Sequence, residues 1–292
     1  MSLSPRVVLV HRATELDELL AHHGTRGQAA FFLSTRGGSI DEVEARHAAS
    51  RAAIAEVGGA IPIDWRRGSV ERSDLSRFLF GPEDIIVIVG QDGLVANAAK
   101  YLDGQPVIGV NTDPTRNPGV LVAHAPADAA ELLHTLDNID YRTMVEATAD
   151  DGQTLRALNE IYLGHPSHQT ARYTLSAPDG PPEAQASSGL IVATGTGATG
   201  WCRSAWLERH SPLSLPSPSD GRLVWFVREA WPSPATGTSC TEGQLTDSPL
   251  RIRVESDHLV AFGDGIEADY LSLTWGQSVT VTRSARTLNL VR

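Results

Sequence analysis

Asp92 lies in the stretch Ile85-Ile86-Val87-Ile88-Val89-Gly90-Gln91-Asp92-Gly93, whose residue types suit phosphoryl transfer to a hydroxyl. The β-branched run reads as a buried parallel strand that breaks into a Gly-rich turn. Small residues there let main-chain N–H groups reach phosphate oxygens, which makes Gly90, Gln91 and Gly93 candidate phosphate-binding positions. A carboxylate in the same turn is placed to take the proton of an attacking hydroxyl, so Asp92 is the candidate catalytic residue. Taken alone, the pattern equally describes a tight turn with a solvated Asp.

Three further segments carry polar groups in unusual places. Asn111 ends a second apolar strand within Val110-Asn111-Thr112-Asp113-Pro114. Asn159-Glu160 sets an amide beside an acid at the start of an expected strand, a donor and acceptor pair suited to a nucleoside, although a surface pair is the commoner case. Residues 190–201 read as a strand, a Thr/Gly turn and a helix, in which a flat ligand can lie on the backbone near Thr194, Thr196 and Thr199. That turn contains a literal G-x-G-x-x-G, Gly195 to Gly200. It stands in a β-rich half with no βαβ unit and no acid about twenty residues on, so a dinucleotide-dependent dehydrogenase is not the reading.

Composition narrows the field. Net charge −11 with no basic tract argues against a nucleic-acid binder. Lys100 is the single lysine, and no Gly-Lys-Ser/Thr exists, which excludes a P-loop NTPase. Two distant cysteines give neither a disulfide framework nor a zinc site, and the ten histidines show no metal-ligand spacing, so no protein metal site is expected. No G-x-S-x-G elbow is present. No targeting segment and no apolar run of spanning length is read, so the expected location is the cytoplasm, without membrane association.

The elements that must position these groups fall into two patterns. Residues 6–10, 29–33, 60–65, 85–90 and 106–111 read as strands, alternating with helices at 15–21, from a capping box at Ser39–Glu42 to about 57, and at 94–102. This is a doubly wound, Rossmann-like α/β domain. After Pro114 a helix is expected at 127–136. Short strands follow at 173–176, 190–193, 223–227, 250–254, 259–262, 270–275 and 278–282, with turn chemistry between them, which means an antiparallel sandwich. Residues 211–221 and 232–249 read as loops. The expected division is 1–112 for the α/β domain and 113–275 for the all-β sandwich, with the tail 276–292 returning to the first domain.

The order and spacing of these segments resemble the NAD kinase family. Gly90–Gly93, Asn159-Glu160, Thr194–Trp201 and Asp264-Gly265 match its Gly-Gly-Asp-Gly loop, Asn-Glu pair, Thr/Gly turn and late Asp-Gly. The segments 106–114 (PVIGVNTDP), 157–164 (ALNEIYLG), 187–190 with 194–197, and 227–229 are most similar to the mitochondrial-type branch. The resemblance implies an NAD kinase-like fold and transfer of a phosphoryl group from ATP, with Mg²⁺ or another divalent cation, to the 2′-hydroxyl of the NAD adenosine ribose. It implies Asp92 as base and the Gly90–Gly93 loop at the donor. It also implies Asn159 and Glu160 on the NAD ribose, Ser188, Thr196, Thr199 and Gly200 lining the dinucleotide pocket, and a homodimer; Asn111, Thr194 and Asp264 are further candidate cofactor-binding residues. Two positions depart from the family: Gln91 replaces the second loop glycine, and Leu94 replaces a hydroxyl residue. Two other readings therefore stand beside the kinase, a non-catalytic NAD(P)-binding protein with a degenerate donor loop and a lipid kinase with a related loop.

Overall fold

Residues 4–167 and 169–292 are described by a computed structural model. They form two compact units, Met1–Asp140 with Asn289–Arg292, and Tyr141–Leu288. No helix among the described residues is long and apolar enough to cross a membrane.

The first unit holds β1 (Arg6–His11), α1 (Glu15–His23), α2 (Arg26–Ser34), α3 (Ile40–Ala60), β2 (Arg66–Glu71), β3 (Asp84–Gly90), α4 (Asp92–Ala99), β4 (Pro106–Asn111) and α5 (Ala129–Leu132). Its strands are all parallel, in the order β2-β1-β3-β4, and Asn289 and Leu290 pair beside Pro106 and Val107. Every residue of β3 is buried, as its continuous apolar run requires. Val7, Leu9, Ile85, Val87 and Val89 share one core with Ala53 and Val57 of α3 and Ala129 of α5. β1 leads through α3 to one side of the sheet, and β3 leads through α4 to the other. Right-handed crossovers then put α3 and α4 on opposite faces, which makes the sheet doubly wound.

The second unit contains β5 (Ile139–Ala149), β6 (Thr154–Ala157), β7 (Glu160–Gly164), β8 (Ala171–Ser176), β9 (Glu183–Ser187), β10 (Leu190–Ala193), α6 (Trp201–Arg209) and β11 (Leu223–Val227). It continues with β12 (Glu242–Leu245), β13 (Leu250–Val254), β14 (His258–Gly263), β15 (Tyr270–Thr274) and β16 (Ser278–Val291). One antiparallel sheet runs β16-β13-β8-β9 with β5 and β6 attached, and the other runs β12-β11-β10-β7-β14-β15. Ile161, Leu163, Leu190, Val192 and Trp225 of the second sheet join Tyr173, Leu175, Ile252 and Val279 of the first in a single core, so the two sheets make a sandwich. Their alternate neighbours Tyr162, Ile191, Ala193 and Phe226 face the other way and pack with Cys202 of α6.

Several local expectations fail for identifiable reasons. The run 29–33 lies in α2, not in a strand: a five-residue apolar run fits either period, and Thr25 caps the helix by accepting from Gln28 N. The strand expected at 60–65 is β2, Arg66–Glu71, a polar edge strand defined by its pairing with β1 and burying only Val70. Ser39 precedes α3 but makes no side-chain cap bond, and the helix continues through Gly58-Gly59 to Ala60. The expected helix 127–136 shrinks to a 3-10 turn at Pro126–Asp128 and α5. The loop 232–249 contains β12, and β5, β6 and β9 are additional strands.

Candidate functional site

In the first unit, β1→β2 and β3→β4 diverge from the central pair, so the gap between the carboxyl ends of β1 and β3 is the topological switch point. Ligands of doubly wound sheets bind there. A cavity of about 870 Å³ opens at this place, lined by Arg12 after β1, Gly90 and Gln91 after β3, Asp113 and Arg116 after β4, and Arg46 of α3. Its cations are partly committed, since Arg12 pairs with Glu18 at 3.3 Å and Arg46 with Glu15 at 2.5 Å. Gln91 stands at the N-cap of α4 without a side-chain cap bond, exposed and facing the cavity.

Asp92 opens α4 beside that cavity. Its Oδ1 accepts from the N–H groups of Val120, Leu121 and Val122 at 3.1, 2.8 and 3.1 Å, and its Oδ2 accepts from Val120 N at 3.0 Å. The carboxylate is thus clamped by main chain on both oxygens, three N–H groups on Oδ1 and one on Oδ2, so that Oδ2 retains more acceptor capacity. Gly93 is exposed, and a Cβ there would meet nothing within 4 Å. Leu94 is buried and packs against Gly90, 3.2 Å from where a Gly90 Cβ would stand, so the missing hydroxyl falls on the core side of the helix. Asn111 is buried and committed: its Nδ2 donates to Asn117 O at 2.8 Å and its Oδ1 accepts from Asp113 N at 2.9 Å, closing the turn that follows β4.

In the second unit, Asn159, Glu160, Thr194, Thr196 and Asp264 come together although they are over one hundred positions apart in the chain at the extremes, the Asn159–Asp264 separation being 105. Asp264 Oδ1 accepts from Asn159 N at 2.6 Å and Oδ2 from Leu158 N at 2.9 Å. Asp264 itself adopts a left-handed φ of 54° in the Asp-Gly turn after β14. Thr194 Oγ1 donates to Leu158 O at 2.5 Å and accepts from Thr196 N and Gly197 N. The turn glycines are needed by internal packing, because a Cβ on Gly195 would stand 1.8 Å from Ser217 O and one on Gly197 2.1 Å from Asn159 O. Thr196 Oγ1 is buried with no hydrogen-bond partner, a cost of about 1–3 kcal/mol that a bound polar group would relieve. Glu160 is largely buried; burial, and next the charge of Asp264, push its carboxyl up to about 7.

Ser188 follows β9, and Thr199 and Gly200 end the turn that precedes α6. Ser188 N donates to Arg228 O, and its own carbonyl accepts from Tyr162 Oη at 3.0 Å. Thr199 and Gly200 are exposed at the turn leading into α6. Trp201 stacks on Tyr162 with ring centroids 5.6 Å apart, and the Arg228 guanidinium lies 5.1 Å from the Trp201 centroid. A second cavity, of about 490 Å³, opens beside Trp201, Arg209, Arg228 and Glu229.

The chain is similar to known proteins along most of its length, although no family model matches it. It is 27% identical over 227 residues to the NAD kinase of Chlorobaculum tepidum, covering 76% of this chain and 74% of that one. It is 29% identical over 167 residues to the human mitochondrial NAD kinase 2, covering 40% of this chain and 38% of the relative. Among solved structures, an NAD kinase from Archaeoglobus fulgidus in complex with ATP superposes with a TM-score of 0.58 at 16% identity, over 98% of this chain and 93% of that chain. The chain is thus similar to NAD kinases in sequence and in fold.

The geometry brings in residues that the motifs alone did not single out. Tyr162 is one. It lies two positions after Glu160 on the same strand and therefore on the same sheet face, a period-2 signal present in the sequence. Arg12, Arg46 and Arg116 are others, from three separate elements, and nothing in their spacing announces that they share a cavity.

Proposed function

We propose that this protein transfers the terminal phosphoryl group of ATP to the 2′-hydroxyl of the NAD adenosine ribose, giving NADP and ADP. The observation that carries the reading is the Asp92 carboxylate, clamped at the head of α4 next to the switch-point cavity that Gly90 and Gln91 line. On this reading the ribose hydroxyl gives its proton to Asp92 Oδ2, its oxygen bonds to the γ-phosphorus, and the β–γ bridging P–O bond breaks with ADP leaving. A ribose hydroxyl is a weak nucleophile, so a fixed carboxylate and close positioning are what an enzyme supplies.

The phosphate chain of ATP lies along Gly90, Gln91 and Gly93, of which Gln91 and Gly93 are exposed and Gly93 has open space where a Cβ would stand. Asn159 and Glu160 hold the NAD ribose and neighbouring groups, Ser188, Thr196, Thr199 and Gly200 line the dinucleotide pocket, and Thr194, Asp264 and Asn111 brace their loops. The unpartnered Thr196 hydroxyl supports that assignment. Magnesium enters the proposal as the counter-ion of the ATP phosphates. Among the described residues no group of three His, Cys, Asp or Glu is placed to cage a metal, so no step is assigned to it.

Incubation with NAD, ATP and Mg²⁺ tests the proposal: NADP is expected to accumulate, and binding of NAD without any NADP from ATP or polyphosphate would replace the kinase with a binding protein. A homodimer belongs to the same proposal on the strength of the family likeness, and the cytoplasmic location expected from the sequence stands beside it. Light scattering of the purified protein tests the first and fractionation of the source cells the second.

A further inference from the structure

We propose that Glu160 meets the dinucleotide as a neutral carboxylic acid, donating a hydrogen bond to an acceptor atom of the ligand, and that Asp264 is the positioning residue that keeps it in that form. The inference rests on reading the second unit as the NAD site, and it assigns Glu160 the opposite hydrogen-bonding sense from that of an ionised carboxylate.

Geometry is the first support. Glu160 opens β7 opposite Ala193 of β10, on the sheet face that Tyr162 and α6 cover. Among the described residues its carboxyl group has no hydrogen-bond or ion-pair partner, only burial and the neighbouring Asp264. Asp264 is tied to the same backbone, its N–H donating to Glu160 O at 3.1 Å. Both Asp264 oxygens accept from main-chain N–H groups, of Asn159 and Leu158. Such donors cannot titrate away and pair only with an acceptor, so the negative charge beside Glu160 is built into the turn.

The remaining neighbour supplies no positive charge. Cys202 of α6 is buried, and burial followed by the charge of Glu160 pushes its thiol up to about 12, so it stays neutral. Burial and the neighbouring Asp264 both favour the protonated form of this carboxyl, in keeping with its shift up to about 7. Chemistry of the ligand points the same way. NAD brings a pyrophosphate anion, and an ionised Glu160 would add a further negative charge to the site. A neutral acid instead offers one O–H donor, and a dinucleotide presents acceptors in its ribose, base and carboxamide oxygens and nitrogens.

Calorimetric NAD titrations between about pH 6 and pH 8, on the full-length wild type, Glu160→Gln and Glu160→Ala, test the proposal. Because only the acid form binds, wild-type affinity falls about tenfold across that interval. Glu160→Gln, a permanent neutral donor, removes the pH dependence, and Glu160→Ala is weaker than Glu160→Gln throughout. A ligand-free readout stands beside these: the ¹³C carboxyl resonance of Glu160 titrates near neutrality in wild type and moves to lower pH in Asp264→Asn. An ordinary carboxylate titration with NAD binding intact, or Glu160→Gln as weak as Glu160→Ala, overturns the proposal while leaving the NAD site standing. Wild type that binds no NAD at any pH removes the dinucleotide reading itself, whatever the resonance shows.

Discussion

The loop at Gly90–Gly93 and the turn at Thr194–Gly200 use the same small residue types for different ends. In the first unit the loop is open: Gln91 and Gly93 are exposed, Gln91 makes no cap bond, and a Cβ on Gly93 would touch nothing. In the second unit the residues from Thr194 to Gly197 are buried, Thr194 satisfies three main-chain groups, and added methyls at Gly195 and Gly197 would enter neighbouring backbone. On the proposed function, the first loop keeps its small residues for the phosphoryl donor. The second keeps them so that the backbone of Asn159 and of 217–218 can approach. A glycine in a binding motif is therefore not by itself a ligand contact, and the two regions should respond to substitution in different currencies, turnover in one and stability in the other.

The largest expected effect is on chemistry in the open loop. Asp92→Asn is expected to lower turnover roughly 10²–10⁴-fold with little change in NAD affinity, read from steady-state kinetics and NAD calorimetry. Because Asp92 also clamps residues 120–122, melting temperatures must accompany the rates; a folded variant with near-wild-type turnover would remove Asp92 from the catalytic role.

The next effect breaks the comparison directly. Gly195→Ala places a Cβ 1.8 Å from Ser217 O and is expected to destabilise by about 3 kcal/mol or more in denaturant unfolding. Gly93→Ala, with open space around it, is expected to unfold within about 0.5 kcal/mol of wild type while raising the Michaelis constant for ATP. Equal stability losses in the two would erase the distinction between the regions.

A third effect is read in the pH dependence of stability. The folded-state pKa of Glu160, about 7, lies above its ordinary value of 4.5. Its contribution is therefore fully present below about pH 4.5, is lost as pH rises toward 7, and changes no further above that. Glu160→Gln should flatten this segment, leaving the variant more stable than wild type at about pH 8 by roughly 2–4 kcal/mol relative to the difference at about pH 4. Chemical unfolding at the two pH values checks it, and parallel pH profiles for the two proteins would contradict it.

The smallest effect sharpens the open-loop side. Gln91→Gly is expected to change the Michaelis constant for ATP roughly 2–10-fold and that for NAD less, since one amide that faces the cavity is lost. A larger effect on NAD than on ATP would move Gln91 out of the donor site.

Much of this molecule could be read from local pattern. The buried run of β3, its Gly turn, β4, and the strand-turn-helix of β10 and α6 are each specified within about a dozen residues by apolar content and turn chemistry, and the four ordered motifs carried the family resemblance. Polar edge strands were illegible. β2, β9 and β12 (RRGSVE, EAQAS and EGQL) carry little apolar pattern and exist because a neighbouring strand offers its hydrogen-bonding edge. The site divides the same way. The sequence by itself determined which groups are available, Asp92 on a Gly turn and an Asn-Glu pair before a strand, because spacing within one turn or strand is local geometry. Only the tertiary structure decided their roles. It turned Leu94 into the core, committed Asn111 to its own loop, brought Arg12, Arg46 and Arg116 to one cavity, and set Asp264 beside Glu160. Those outcomes depend on burial and on charges from distant segments, and neither quantity exists until the chain has packed.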